Sequence, residues 1–251
     1  MLSAPGLAAI HQPDDAQDNG EGGRSVDMRS AVAELRSQGV VVIRHFLSPS
    51  IILNLKQLVE RAYTAAEIGT ASKEVCERVT AWGGINVHFM DQAGIAQDDI
   101  SKMLMLVERR AHGGFGRCRI IPEICVFRKH RECRTHIPWH IDADGAGTSP
   151  YEPCLNIWLP FVAVGRLRPS LEVVLGSHIL MRELPLLDPS YASRTDEWVD
   201  SRFERKRRFV ANMKPGDALV FDHYTLHRTQ PMKYQSGDRL SGEFRIQLIT
   251  D

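Results

Sequence analysis

Cysteine is scarce, and its spacing forms no pattern. The 251-residue chain holds five, Cys76, Cys118, Cys125, Cys133 and Cys154. An odd count without a CxxC pair argues against a disulfide framework and against a thiolate zinc site, and it suits a reducing compartment. Long apolar runs are also missing. The longest, Ile157 to Gly165, is interrupted by Pro160 and falls far short of the roughly 20 residues that span a bilayer, so no membrane partner is expected. Neither sign of charge dominates: 31 Lys and Arg balance 31 Asp and Glu, so composition gives no reason to expect nucleic acid or an anionic membrane surface as partner. The opening residues lack a basic stretch followed by an apolar block, and Asp14, Asp15, Asp18 and Glu21 are out of keeping with a transit peptide. A cytoplasmic protein is expected.

What is present changes character along the chain. Residues 1–24 mix Gly, Pro and acids without periodicity and read as a disordered arm; residues 25–251 read as one domain. A short helix is expected over Ser25 to Ser37, then a buried strand at Val40–Ile43, whose residues are all β-branched. Ser48 can cap a helix that tolerates Pro49 at its first position and repeats Ile51, Ile52, Leu55, Leu58, Val59 and Tyr63 on one face. Ile100, Met103, Leu104 and Val107 mark a second helix, which Gly113 and Gly114 should stop. Beyond Gly116 the segments Arg119–Phe127, Cys154–Val164, Leu171–Leu175, Ala218–Phe221 and Arg239–Ile249 are strand-like and separated by turn residues. Strands without intervening helices predict a mainly β sandwich or barrel behind an N-terminal helical layer.

The sharpest local feature is Pro138-Trp139-His140-Ile141-Asp142. If this is the end of a strand, His140 and Asp142 share a face. Alone, an HxD step is weak. His227, beyond the strand-like Ala218–Phe221, supplies a second imidazole, and two histidines with one carboxylate make the facial triad suited to non-haem Fe(II) with open positions. Zinc could accept the same three ligands, but Arg239, Ser241 and Arg245 tilt the choice toward iron. These three share parity on a last strand, where an arginine fork with a neighbouring hydroxyl can hold a carboxylate. His136 and Asp144 share the parity of His140 and Asp142 and are weaker candidates; His178, His223 and Tyr224 read as packing or supporting groups.

Taken in order, Pro138–Asp142, Asn156–Pro160, Ser170–His178, Gly216–Asp222 and His227–Thr229 resemble the phytanoyl-CoA dioxygenase family over about residues 28–249. The resemblance implies a double-stranded β-helix, the jelly-roll or cupin-like fold. It also implies an Fe(II)- and 2-oxoglutarate-dependent dioxygenase that uses O2 to hydroxylate, or otherwise oxidise a C–H bond of, a small-molecule substrate. It gives His140, Asp142 and His227 as iron ligands and Arg239, accompanied by Ser241, as the group that binds the distal carboxylate of 2-oxoglutarate. Asn156 is a looser match to a polar cosubstrate contact.

Two alternatives are of other classes. A non-oxidative cupin-like metalloenzyme would keep the triad without the arginine; a silent jelly-roll binding protein would need neither. The basic run Arg117, Arg119, Arg128, Lys129, Arg131 and Arg134 is either a solvated face or an entrance for an anionic substrate.

Overall fold

The structure, a computed structural model, describes residues 28–129, 137–144, 153–187, 193–233 and 236–249. The expected arm at 1–24, His136, Arg131, Arg134 and the Gly145–Gly147 stop lie outside them.

Helix α1 (Met28–Gln38) leads through Gly39 into strand β1 (Val40–Ile43). Gly39 has φ of +75°, and its carbonyl accepts from the Asp222 amide at 2.9 Å and from Thr225 Oγ1 at 2.7 Å. Helix α2 (Pro49–Glu67) begins where the cap is expected, with the Ser48 hydroxyl accepting from the Ile51 amide. Helix α3 (Lys73–Trp82), capped by Ser72, and the short strand β2 (Gly84–Asn86) were not anticipated. Helix α4 (Gln97–Phe115) corrects an expectation: it runs through Gly113 and Gly114 and stops at Gly116, whose φ is +85°. Burial of Ile100, Met103, Val107 and Ala111 holds the helix together, against a cost of about 1 kcal/mol for each glycine.

Two antiparallel sheets follow. Strands β3 (Cys118–Lys129), β4 (Cys154–Pro160), β7 (Ala218–Asp222) and β9 (Arg239–Leu248) join β1 and β2 in a six-stranded sheet of order β1-β7-β4-β9-β3-β2. Strands β5 (Leu171–Val174), β6 (Arg208–Val210) and β8 (His227–Thr229) form a smaller sheet of order β6-β5-β8. Two short helices, α5 (Ser177–Glu183) and α6 (Asp196–Asp200), lie among these strands.

Alternation along the strands sorts residues to two faces. Leu155, Ile157 and Leu159 of β4, Val220 of β7 and Phe244 and Ile246 of β9 join Leu55, Val59, Tyr63, Met103 and Val107 in one core, so the helical layer covers the outer face of the large sheet. Trp158, Leu219 and Phe221 point the other way and meet Leu171 and Val173 of the small sheet. The inward residues of β9 are Arg239, Ser241, Glu243 and Arg245, so the barrel interior is polar along this one strand.

Pairing of β3 with β9 is regular except where the register shifts between Ile121 and Cys125, a bulge that includes Pro122, which has no amide hydrogen to give to the ladder. None of the helices, among the described residues, is long and apolar enough to cross a membrane.

Candidate active site

Residues 139 and 140 form isolated bridges rather than a strand: Trp139 pairs with Arg194 and His140 with His227. The His140 and His227 amides each donate to the other's carbonyl at 3.0 Å. The chain then turns, with the Ala143 amide on the His223 carbonyl and a helical turn over Asp142–Asp144. The strand alternation expected for His140 and Asp142 is therefore not what brings them together. The turn does so instead.

His140, Asp142 and His227 offer ligand atoms that all lie within 4.8 Å of one another. His140 Nε2 is 3.9 Å from Asp142 Oδ1, and His227 Nε2 is 3.8 Å from Asp142 Oδ2. Each imidazole is held from behind: His140 Nδ1 is 2.8 Å from the Pro138 carbonyl and His227 Nδ1 is 3.0 Å from the Thr225 carbonyl. A carbonyl can only accept, so in the neutral rings Nδ1 carries the proton and Nε2 presents its lone pair. Burial, and then the neighbouring His227, lowers the pKa of His140 to about 4, which keeps it neutral at ordinary pH.

Asp142 is tied at both oxygens. Asn156 Nδ2 donates to Oδ2 at 2.7 Å and Arg245 Nη2 to Oδ1 at 3.2 Å, while Arg245 Nε donates to Asn156 Oδ1 at 3.2 Å. Burial pushes the Asp142 carboxyl up, but the Arg245 guanidinium and the two imidazoles outweigh it and hold the group below its ordinary value. The amide of Asn156, expected to face a cosubstrate, is thus spent on Asp142. Asp144, the weaker ligand candidate, points elsewhere: it is buried, paired with Arg194 at 2.6 Å, and accepts from the Leu187 amide. His223 bonds the Cys154 carbonyl through Nδ1, and His178 Nε2 lies 3.1 Å from the Arg36 carbonyl.

The three ligand candidates line a cavity of about 410 Å³, at the small end of small-molecule sites. Arg239 lines it too, 1% exposed, with its guanidinium carbon 5.7 Å from the centre of the Trp158 ring. Thr229 lines the cavity as well, and Ser241 follows Arg239 by two residues on β9; both hydroxyls are buried and have no hydrogen-bond partner among the described residues. Buried hydroxyls left so are costly unless a ligand completes them. A buried guanidinium with two such hydroxyls suits a carboxylate, and two imidazole nitrogens with a carboxylate oxygen suit Fe(II); the residues present fit both groups.

Sequence reasoning missed Glu243. It lines the same cavity and accepts from Arg245 Nη2 at 3.3 Å. Burial, and then the Asp142 charge, raises its pKa to about 7. Its odd number, shared with Arg239, Ser241 and Arg245, was the available signal. Asn86 and Cys125, also in the lining, had none. Of the basic run, Arg128 is engaged by Glu67 at 2.7 Å and Asp238 at 3.2 Å.

Fold and site together define an Fe(II)- and 2-oxoglutarate-dependent dioxygenase on a double-stranded β-helix. A family model described as phytanoyl-CoA dioxygenase (PhyH) matches residues 35–236, and the chain belongs to that family. Similar solved structures include SnoK, a non-haem α-ketoglutarate-dependent carbocyclase from nogalamycin biosynthesis. It is 17% identical over 91% of this chain and 87% of its own, with a TM-score of 0.66. EctD from S. alaskensis, with 2-oxoglutarate and 5-hydroxyectoine, is 15% identical over 92% of this chain and 79% of its own, with a TM-score of 0.65. The epimerase SnoN, in complex with Fe3+, α-ketoglutarate and nogalamycin RO, is 19% identical over 88% of this chain and 83% of its own, with a TM-score of 0.57. No curated protein sequence matches the chain.

Proposed function

We propose that this protein couples oxidative decarboxylation of 2-oxoglutarate, giving succinate and CO2, to oxidation of a C–H bond in a small-molecule substrate, with hydroxylation as the default outcome. The observation that carries this reading is the gathering of ligand atoms from two imidazoles and the Asp142 carboxylate within 4.8 Å of one another, lining a cavity that also holds the buried Arg239. His140, Asp142 and His227 hold the metal. Fe(II), when bound, supplies the activation of O2 that no side chain can provide.

The chain's own residues do the rest. Arg239 binds the distal carboxylate of 2-oxoglutarate with its planar fork, and the Ser241 and Thr229 hydroxyls donate to the same group. Arg245 and Asn156 keep Asp142 ionised and fixed in orientation. Phe127, Ile137, Trp158 and Leu171 line the cavity and exclude water. A non-oxidative cupin would not need the buried Arg239, and a silent binding module would not need the triad. Among the solved relatives one is described as a carbocyclase and another as an epimerase, so ring closure or inversion at carbon is a variant outcome available to the same arrangement.

Anaerobic addition of Fe(II) and then 2-oxoglutarate to the purified protein should give the weak visible charge-transfer band of the chelate, and admitting air should release succinate. Failure of the band to appear, or a band that forms without 2-oxoglutarate, would overturn the proposal.

A further inference from the structure

Glu243 is a partly buried carboxylate beside the metal-binding residues that the oxygenase mechanism does not use. One nitrogen, Arg245 Nη2, donates both to Asp142 Oδ1 at 3.2 Å and to Glu243 Oε1 at 3.3 Å. The two carboxylates therefore share a guanidinium, and Glu243 stands within a few ångströms of the triad. Its other oxygen receives no hydrogen bond from any described residue, although the side chain lines the cavity. A substrate that excludes water from this oxygen must itself supply a donor.

Among the described residues, the cations around this part of the cavity are already engaged. Arg245 serves Asn156, Asp142 and Glu243. Arg78, which reaches Asn86 at the rim, is paired with Glu74 and stacked 4.3 Å from the centre of the Phe89 ring. Arg128 is held by Glu67 and Asp238. Arg239 is the guanidinium assigned to 2-oxoglutarate. An anionic substrate group at the triad would thus meet Glu243 with no cation among the described residues given over to it, whereas an ammonium or hydroxyl would complete the carboxylate.

Resting on the oxygenase reading, we propose that Glu243 is the specificity-determining residue of this site and that the primary substrate carries a hydrogen-bond donor, an ammonium or a hydroxyl, next to the carbon presented to the metal. Cys125, directly opposite Glu243 on β3, has its thiol pKa pushed well up by burial. It therefore adds no second negative charge.

The experiment uses the full chain loaded anaerobically with Fe(II) and 2-oxoglutarate, at a pH above the value of about 7 near which Glu243 gives up its proton. The probes are matched triads of small molecules that share one carbon skeleton and carry an ammonium, a hydroxyl or a carboxylate. Perturbation of the visible band is read first, then succinate release in air. The ammonium or hydroxyl member should bind at least about tenfold more tightly than its carboxylate counterpart. In Glu243→Gln the preference for ammonium over hydroxyl within a triad should shrink about tenfold; being a ratio within one protein, it is unaffected by any loss of metal or cosubstrate. Equal or tighter binding of carboxylates, silence from every donor-bearing probe, or a Gln variant with the same ratio would overturn the proposal. The wild-type panel decides it even if the variant does not fold. A missing band before any probe is added would instead strike the oxygenase reading itself.

Discussion

Asn156 on β4 and Arg245 on β9 are direct cross-strand partners, and both close on the carboxylate of Asp142. The sheet register thus fixes a ligand that sits outside the sheet, in a turn. A carboxylate with both oxygens held is oriented before any metal arrives, which lowers the reorganisation that binding requires.

Substitution of the ligands should separate binding from folding. His140→Ala and His227→Ala should each abolish 2-oxoglutarate turnover and weaken Fe(II) binding at least about tenfold, with the circular dichroism spectrum retained. Metal content after gel filtration and succinate release measure the two effects. Full activity in both variants would contradict the assignment.

The two arginines of β9 should fail differently. They stand six residues apart, roughly 20 Å along a strand, so one cosubstrate carboxylate cannot engage both. Arg239→Ala should raise the KM for 2-oxoglutarate on the order of a hundredfold, since a buried carboxylate left without its partner costs about 3 kcal/mol or more. Arg245→Ala should act on metal affinity and kcat, through Asp142. Steady-state kinetics with varied 2-oxoglutarate would show a reversed assignment as a KM defect confined to Arg245→Ala.

Acid stability of the metal-free protein should report Glu243. Its folded pKa of about 7 lies above its ordinary value of 4.5, so between these pH values the native state binds more protons than the unfolded one. Stability from this group is full below about pH 4.5 and is lost as pH rises through 7. His140, with a folded pKa of about 4, has the opposite sign, losing stability as pH falls from about 6.5; the two nearly cancel in between. Glu243→Gln removes one side of the balance. Relative to wild type it should gain on the order of 2 to 3 kcal/mol between pH 5 and 7.5, read from denaturant midpoints in the presence of a chelator. A constant difference across that range would refute the shift.

Asp144 should matter for stability and not as a ligand. Asp144→Ala leaves the Arg194 cation buried and should cost roughly 3 kcal/mol, whereas the Asp144→Ala/Arg194→Ala pair should cost less than the sum of the single changes. Metal stoichiometry should stay at that of wild type in the refolded single variant. A loss of metal without a loss of stability would return Asp144 to the ligand set.

Gly39→Ala should be poorly tolerated. At φ of +75° an added Cβ would press on the His178 ring and lie 2.7 Å from Thr225 Oγ1. The left-handed backbone alone costs about 1 kcal/mol or more, so a drop in the denaturation midpoint is expected.

The parts legible in the sequence are those whose signals are local. Val40–Ile43 is β-branched throughout, and Ser48 with Pro49 marks a helix start by its own chemistry; both elements stand where expected. The Gly113-Gly114 stop failed because glycine weakens a helix by an amount that the buried face of α4 can offset. The strand reading at His140 and Asp142 failed because residue identity does not encode the reciprocal backbone pairing of His140 with His227 or the turn that follows. The place of Asn156 could not be read either, since its amide meets Asp142 only through a contact between residues fourteen apart. Parity on β9 was informative, and following it one step of two residues beyond Ser241 would have found Glu243.

Three residues of β3, 122–124, stand where β9 offers only Phe244. The surplus is two, and an even surplus leaves every side chain on its original face, so Ile121 and Cys125 still point the same way on either side of the irregularity. Losing both extra residues would shorten this wall without turning it over; losing one would exchange Ile121 for Ile120 along the whole leading segment. Beside Glu243, then, a loss of two residues from this wall would leave the pairing of β3 with β9 in register on either side.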